Sequence, residues 1–254
     1  MLFIIVFPFL SIAQEGRVHD EPNLIKFNAL PLVIGKFTVE YERLLTDRIS
    51  VGAEVAFRPS NLLPFRSFIE GRIDDDDVRD IVRNFRSTSF SITPEARFYT
   101  SRREAFTGFY VAPYLRYATY SANAPYNFYV SFENMGQVLF ERSELIALSG
   151  NMNSFVGGVS VGANFKLAEK WYLDWRIVGP GFGIVSGSVA AHVQLEDWER
   201  QMLHERLIEI QQELRDFTIP IRIDPEILND GVEVRVRRSP WAAVRAGLSI
   251  AYRF

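Results

Sequence analysis

Cysteine is absent from all 254 residues, which excludes disulfides, thiolate metal sites and thiol nucleophiles together. Histidine is scarce, with three in the chain. His19 falls in a polar connector, His192 follows a strand-like stretch and His204 sits in a polar segment, none within a catalytic pattern. Charge of one sign is also missing: 28 basic against 31 acidic residues leave a net charge of -3, without the basic face that nucleic-acid binding requires. Nor is there an apolar run of the roughly 20 residues that a spanning helix needs. The longest, Leu2–Ile12, runs into Ser11-Ile12-Ala13, with small residues spaced as at a signal-peptidase site. The expectation is a signal peptide over 1–13 and a connector over 14–23, with any membrane crossing made by strands.

What the sequence has instead is alternation. From Ala242 onward every even position is apolar, through Val244, Ala246, Leu248, Ile250, Tyr252 and Phe254, while the odd positions carry Arg245, Ser249 and Arg253. Period two over that length means an extended strand with one apolar face. Leu248, Ile250, Tyr252 and Phe254 are expected to close a barrel towards lipid. The same alternation marks segments near 24–31, 37–45, 49–58, 89–100, 106–120, 154–167 and 171–190, eight strands in all, close to the ~9–11 residues of a tilted membrane strand. Short connections at 46–48, 101–105 and 168–170 alternate with long polar ones at about 59–88, 121–153 and 191–240. Short turns on one side and long loops on the other are the asymmetry of outer-membrane barrels. The fold expected is therefore all-β, an eight-stranded antiparallel transmembrane barrel over 24–254, in the outer membrane of a Gram-negative bacterium. Its partners would be membrane lipid, the barrel-assembly machinery through the final strand, and an unidentified surface ligand, without nucleic acid or cofactor.

Asn23–Leu45, N-L-I-K-F-N-A-L-P-L-V-I-G-K-F-T-V-E-Y-E-R-L-L, resembles the opening of small outer-membrane barrels of Bacteroidota in the DUF3575-like family. Thr93-Pro94-Glu95-Ala96-Arg97-Phe98-Tyr99 is similar to that family's P-E-x-R-Y/F strand, and Pro240–Phe254 resembles its ending, with Ser239 in place of a glycine. The resemblance implies a barrel and supplies no catalytic residues.

Strand parity places Lys26, Arg58, Arg97, Arg116, Lys166, Arg176, Arg245 and Arg253 on the inner face, with Glu40, Glu42, Glu54, Glu95 and Asp174. An eight-stranded lumen is just wide enough for side chains to fill it, so these charges must pair. One network of Glu40, Glu54, Glu95, Arg97, Arg116, Asp174, Arg176 and Arg245 is expected, giving a closed, non-catalytic barrel. A narrow pore and a lipid-modifying enzyme using His192 are the alternatives. The acid run Asp74–Asp77 reads as a solvated helix start, since acids are favoured there, rather than a metal site. In the last loop Leu203, Leu207, Ile210, Leu214 and Phe217 recur at helical spacing as one apolar stripe, with Asp197 as N-cap and Pro220 as terminator. That stripe is expected to pack over the barrel mouth or against a partner.

Overall fold

The computed structural model describes residues 21–62, 66–73, 79, 82–101, 104–134, 137–193, 196, 200–201, 203–205, 207–208, 211, 222–228 and 231–254, with side chains 126–145 excepted. The expected signal peptide, Asp74–Asp77, Asp197, Ile210, Leu214, Phe217 and Pro220 lie outside the described residues.

Nine antiparallel strands form one sheet: β1 (Asn23–Asn28), β2 (Phe37–Leu44), β3 (Ile49–Leu62), β4 (Arg86–Tyr99), β5 (Gly108–Asn134), β6 (Gln137–Lys166), β7 (Trp171–His192), β8 (Ile223–Leu228) and β9 (Gly231–Arg253). β1 through β7 pair in sequence order, β7 pairs with β9, and β9 pairs back onto β1 through Leu24↔Arg253 to Asn28↔Ser249. Eight strands thus close the ring. The ninth, β8, pairs with Gly231–Val236 of β9 and lies above the closed part. The eight strands expected are the ring strands; β8 departs from that count because residues 223–228 have an edge to pair with once β9 starts at Gly231 rather than Trp241.

The strands differ greatly in length, and the two longest correct the loop boundaries. β5 and β6 pair without a break in ladder direction from Gly108↔Asn164 to Asn134↔Gln137, so most of the segment expected as a loop at 121–153 is a projecting hairpin. At about 3.3 Å per residue, the 27 residues of β5 exceed any bilayer crossing. β3 likewise runs to Leu62, a short helix α1 occupies Arg66–Glu70, and β4 begins at Arg86. β7 passes through Gly179-Pro180-Gly181 unbroken, with a register shift between Arg176 and Gly179. By contrast the β1–β2 connection is a single 3-10 turn, Leu30–Ile34, closed by Gly35 at φ 69, in the left-handed region that only glycine enters freely.

Polarity is inverted relative to a soluble barrel. Val39, Tyr41, Val51, Val55, Ile92, Val111, Val159, Trp175, Ile184, Leu248 and Ile250 are exposed around the outer wall, while Lys26, Glu40, Glu42, Glu54, Glu95, Arg97, Asp174, Arg176 and Arg245 are buried inside. Neighbouring outward residues run as a belt, for example Phe37↔Phe57↔Phe90 towards the loop end. Trp171 and Tyr252 meet edge to face at 5.2 Å near the turn end. Aromatics at both edges of an apolar band are what the two interfaces of a bilayer favour.

Candidate functional site

The site is the lumen. Alternation forces every second side chain inward, and the inward residues of six strands converge on Arg97 of β4. Its Nε donates to Glu95 at 2.6 Å, its Nη1 to Asp174 at 2.5 Å and its Nη2 to Glu40 at 2.5 Å. Lys26 of β1 sits beside it, 2.6 Å from Asp174 and 3.1 Å from Glu40, and also paired with Glu42. One step towards the loop end, Arg176 donates to Glu54 at 2.8 Å, to Glu40 at 2.8 Å and to Glu95 at 3.0 Å. Arg245 bridges Glu95 at 2.8 Å and Glu54 at 2.9 Å. Four cations and five carboxylates therefore form one connected group. Each guanidinium uses its fork on two or three carboxylates, the geometry that makes arginine suited to such pairs.

Glu40, Glu42 and Asp174 approach closely enough to share a metal ion. The Lys26 ammonium and the Arg97 guanidinium already lie among them, so the triad is neutralised by side chains.

Tyrosines complete the packing. Tyr110 Oη donates to Asp174 at 2.8 Å and its ring lies under the Arg97 guanidinium at 4.4 Å. Tyr114 donates to the Gly179 carbonyl at 3.0 Å and its ring faces Arg245 at 4.6 Å. Gly158 makes room for it: a Cβ there would meet Tyr114 Cζ at 2.6 Å. Tyr99 Oη donates to Glu42 at 2.7 Å, and Ser50 Oγ donates to the same carboxylate.

Below the ions, at the turn end, Leu24, Leu44, Tyr99, Phe106, Tyr110, Tyr172 and Ala251 form a buried apolar floor. Phe106 is its centre, fully buried at φ 59, with edge-on contacts to Tyr99 and Tyr172 at 6.5 Å each. This corrects the expectation that β5 begins at Phe106. The chain instead turns the ring inward before Gly108 starts the strand. Above the ions, Tyr120 and Trp241 approach to 6.2 Å.

Of the eight residues expected in the network, Glu40, Glu54, Glu95, Arg97, Asp174, Arg176 and Arg245 meet. Arg116 does not. It is half-buried and its Nη2 reaches Ser91 Oγ at 3.4 Å, because Tyr114, two residues nearer the turn end, takes the place facing Arg245. Lys26 and Glu42 join instead. Arg58 bonds Ser87 and the Leu62 carbonyl, Lys166 pairs with Glu104, and Arg253 bonds the Glu21 carbonyl, all outside the network. Near the turns, the hydrogen bond from Lys170 to Glu21 raises the ammonium's pKa. On the outer extension, Arg235 lowers that of Glu233.

Leu248, Ile250, Tyr252 and Phe254 all face outward from β9, each at least 36% exposed. In the last loop, Leu203 packs against the cluster of Ile146 and Val193, as do Leu148 of β6, Ala191 of β7 and Val232 of β9, so this part of the stripe lies on the β6–β7–β9 extension; Leu207 is half-buried. His192 is the last residue of β7, opposite Gly231.

An apolar exterior, a ring closed by β1 and β9 and a charged interior define a β-barrel of the outer-membrane type. The chain belongs to the family described as "Protein of unknown function (DUF3575)", whose match spans residues 2–205. No curated protein matches it. Among solved structures it is similar to a major outer membrane protein from Thermus thermophilus, at 13% identity and a TM-score of 0.38, covering 93% of this chain and 100% of that one.

Proposed function

We propose that this protein is a non-enzymatic integral barrel of a Gram-negative outer membrane, sealed along its axis, that serves the envelope through its wall and its projecting loops. The observation that carries this reading is the filled lumen. An apolar floor centred on Phe106, the nine-residue ion network and the Tyr120–Trp241 contact succeed one another from the turn end to the loop end. An open pore needs a continuous water column, and a buried ion pair left half-formed costs several kcal/mol. The same network gives the lumen a structural role and leaves the β5–β6 hairpin and the last loop as the parts available to a surface partner. Lipid covers the outer belt, and the outward row of Leu248, Ile250, Tyr252 and Phe254 is the strand offered to the assembly machinery after the signal peptide is removed.

The test is reconstitution of the refolded chain in planar bilayers and in vesicles. The expected result is heat-shifted gel mobility, showing insertion, with no steady conductance and no solute flux. Stable unitary currents would overturn the sealed lumen, and failure to insert would overturn the membrane assignment.

A further inference from the structure

The wall of the barrel is not of even height. β2 has eight residues and pairs with β3 only as far as Phe37↔Phe57, whereas β3 continues to Leu62 beside β4. β1 stops at Asn28, and the last ties from the first hairpin to β9 are Ala29 N to Leu248 O at 2.9 Å and Leu248 N to Asn28 Oδ1 at 3.1 Å. Higher on β9, Ser239 is tied to Arg222. Between Ser239 and Leu248, among the described residues, β9 has a strand partner on its β7 side alone. A lateral notch therefore opens above the first hairpin, between β9 and β3.

Its height follows from strand geometry. Eight residues at about 3.3 Å each, tilted by about 40°, rise roughly 20 Å, less than the roughly 25 Å apolar band of such barrels. The notch thus falls within the outer leaflet. Its rim agrees: Leu30, Val33 and Ile34 of the 3-10 turn and Val244 of β9 are apolar, with Val33 67% and Val244 72% exposed. A water-facing turn would gain nothing from that composition.

Behind the rim is a cavity of about 360 Å³ leading to the ion network, and its inner lining includes Lys36, Thr38 and Arg116. The network has one more carboxylate than cations; Lys36 and Arg116 reverse that to one net positive charge. Among the described residues the Lys36 ammonium has no ion pair and Arg116 reaches only Ser91. Thr38 Oγ1 is unpartnered although Thr38 is 2% exposed, and Arg116 Nε and Arg176 Nε are unpartnered too. Donors without acceptors, one net positive charge and an apolar rim together describe one ligand chemistry.

We propose that the notch binds an anionic, phosphate-bearing lipid of the surrounding leaflet, its phosphate against Lys36, Thr38 and Arg116 and its acyl chains along Val33, Ile34 and Val244. A soluble anion would leave the rim unused, and a zwitterionic headgroup would bring its own cation into an already cationic space. The proposal rests on the membrane reading above.

The test uses the full chain refolded into phosphatidylcholine vesicles carrying a minor fraction of spin-labelled phosphatidylglycerol, with spin-labelled phosphatidylcholine as reference. Wild type should hold motionally restricted phosphatidylglycerol with about ten-fold preference, since two cations near a lipid surface each contribute a several-fold effect. Lys36→Gln/Arg116→Gln should bring the ratio near one. Val244→Trp, which keeps both cations and fills the rim from outside, should also lower it. Millimolar inorganic phosphate should not displace the lipid. Displacement would show a soluble-anion site, and a preference absent from wild type or kept in both variants would overturn the proposal. Heat-shifted mobility on the same samples separates the two readings. An inserted barrel without preference overturns only the lipid site, and a wild-type chain that does not insert overturns both.

Discussion

Arg245 and Glu95 stand on β9 and β4, opposite each other in a ring of eight strands, and their side chains meet at 2.8 Å. Two side chains reaching from facing walls span the full width of the lumen. The interior is thus crossed by covalently anchored charge at the level of Glu54 and Glu95.

Arg245→Leu should destabilise the barrel strongly. It leaves Glu54 and Glu95 with one cation fewer in a buried setting, and breaking such a pair costs about 3–5 kcal/mol. The expected readout is a lower urea midpoint for loss of the heat-shifted band. Recovery of most of that loss in Arg245→Leu/Glu95→Gln would locate the cost in the stranded carboxylate. An unchanged midpoint in the single variant would contradict the network.

Leu248→Arg and Ser249→Arg should differ although they are neighbours. Leu248 faces out and Ser249 is buried opposite Asp174 of β7. An arginine towards lipid costs about 2–4 kcal/mol near midplane. One at Ser249 gains a carboxylate neighbour and loses only through crowding. Folding titrations into bilayers measure both, and equal losses would argue against this register.

Phe106 separates a packing effect from a backbone effect. Phe106→Ala removes the ring of the floor, a change that typically costs about 3–5 kcal/mol, and keeps a Cβ at φ 59. Phe106→Gly removes the same ring but relieves the left-handed strain, by about 1 kcal/mol. Glycine should therefore be the milder substitution in equilibrium unfolding, and an order with alanine milder would show the turn to be unstrained.

Replacing residues 127–145 with a two-residue Asn-Gly turn, which leaves Tyr126 opposite Ile146, should leave the barrel intact. Those residues pair with one another at the far end of the β5–β6 hairpin, away from the ring closure, and Asn-Gly suits a tight hairpin turn. Unchanged heat-shifted mobility is expected, whereas loss of folding would make the hairpin part of the barrel's own core.

Much of this was legible from alternation alone. Lipid outside and a filled lumen inside require the two faces of every strand to differ, so Glu54, Arg97, Asp174, Arg176 and Arg245 could be placed from parity. Parity assigns a face but no height, which is why Arg116 entered the expected network although it sits above Tyr114. Lys26 and Glu42 have the right parity, and nothing in the sequence says that they reach the same carboxylates. Phe106 carries no periodic signal, because it lies in a turn with a positive φ. The β5–β6 extension resembles a loop in composition, since backbone pairing above a membrane needs no apolar face. The DUF3575 resemblance agrees with the family match over 2–205.

The nine charged residues of the lumen come from β1, β2, β3, β4, β7 and β9, so Lys26 and Arg245 enter one cluster from strands at opposite ends of the chain order. A sheet grown from β1 onward has Glu54 and Glu95 before it has Arg176, and lacks Arg245 until β9 docks. Once β3 has joined, such a sheet carries two more carboxylates than cations until β9 docks, and closing the ring brings in Arg245 and lowers that excess to one. Such long-range pairing is slow to form, but it rewards only the finished circle. Barrel formation in this chain should accordingly be all-or-none, with half-built sheets too short-lived to accumulate.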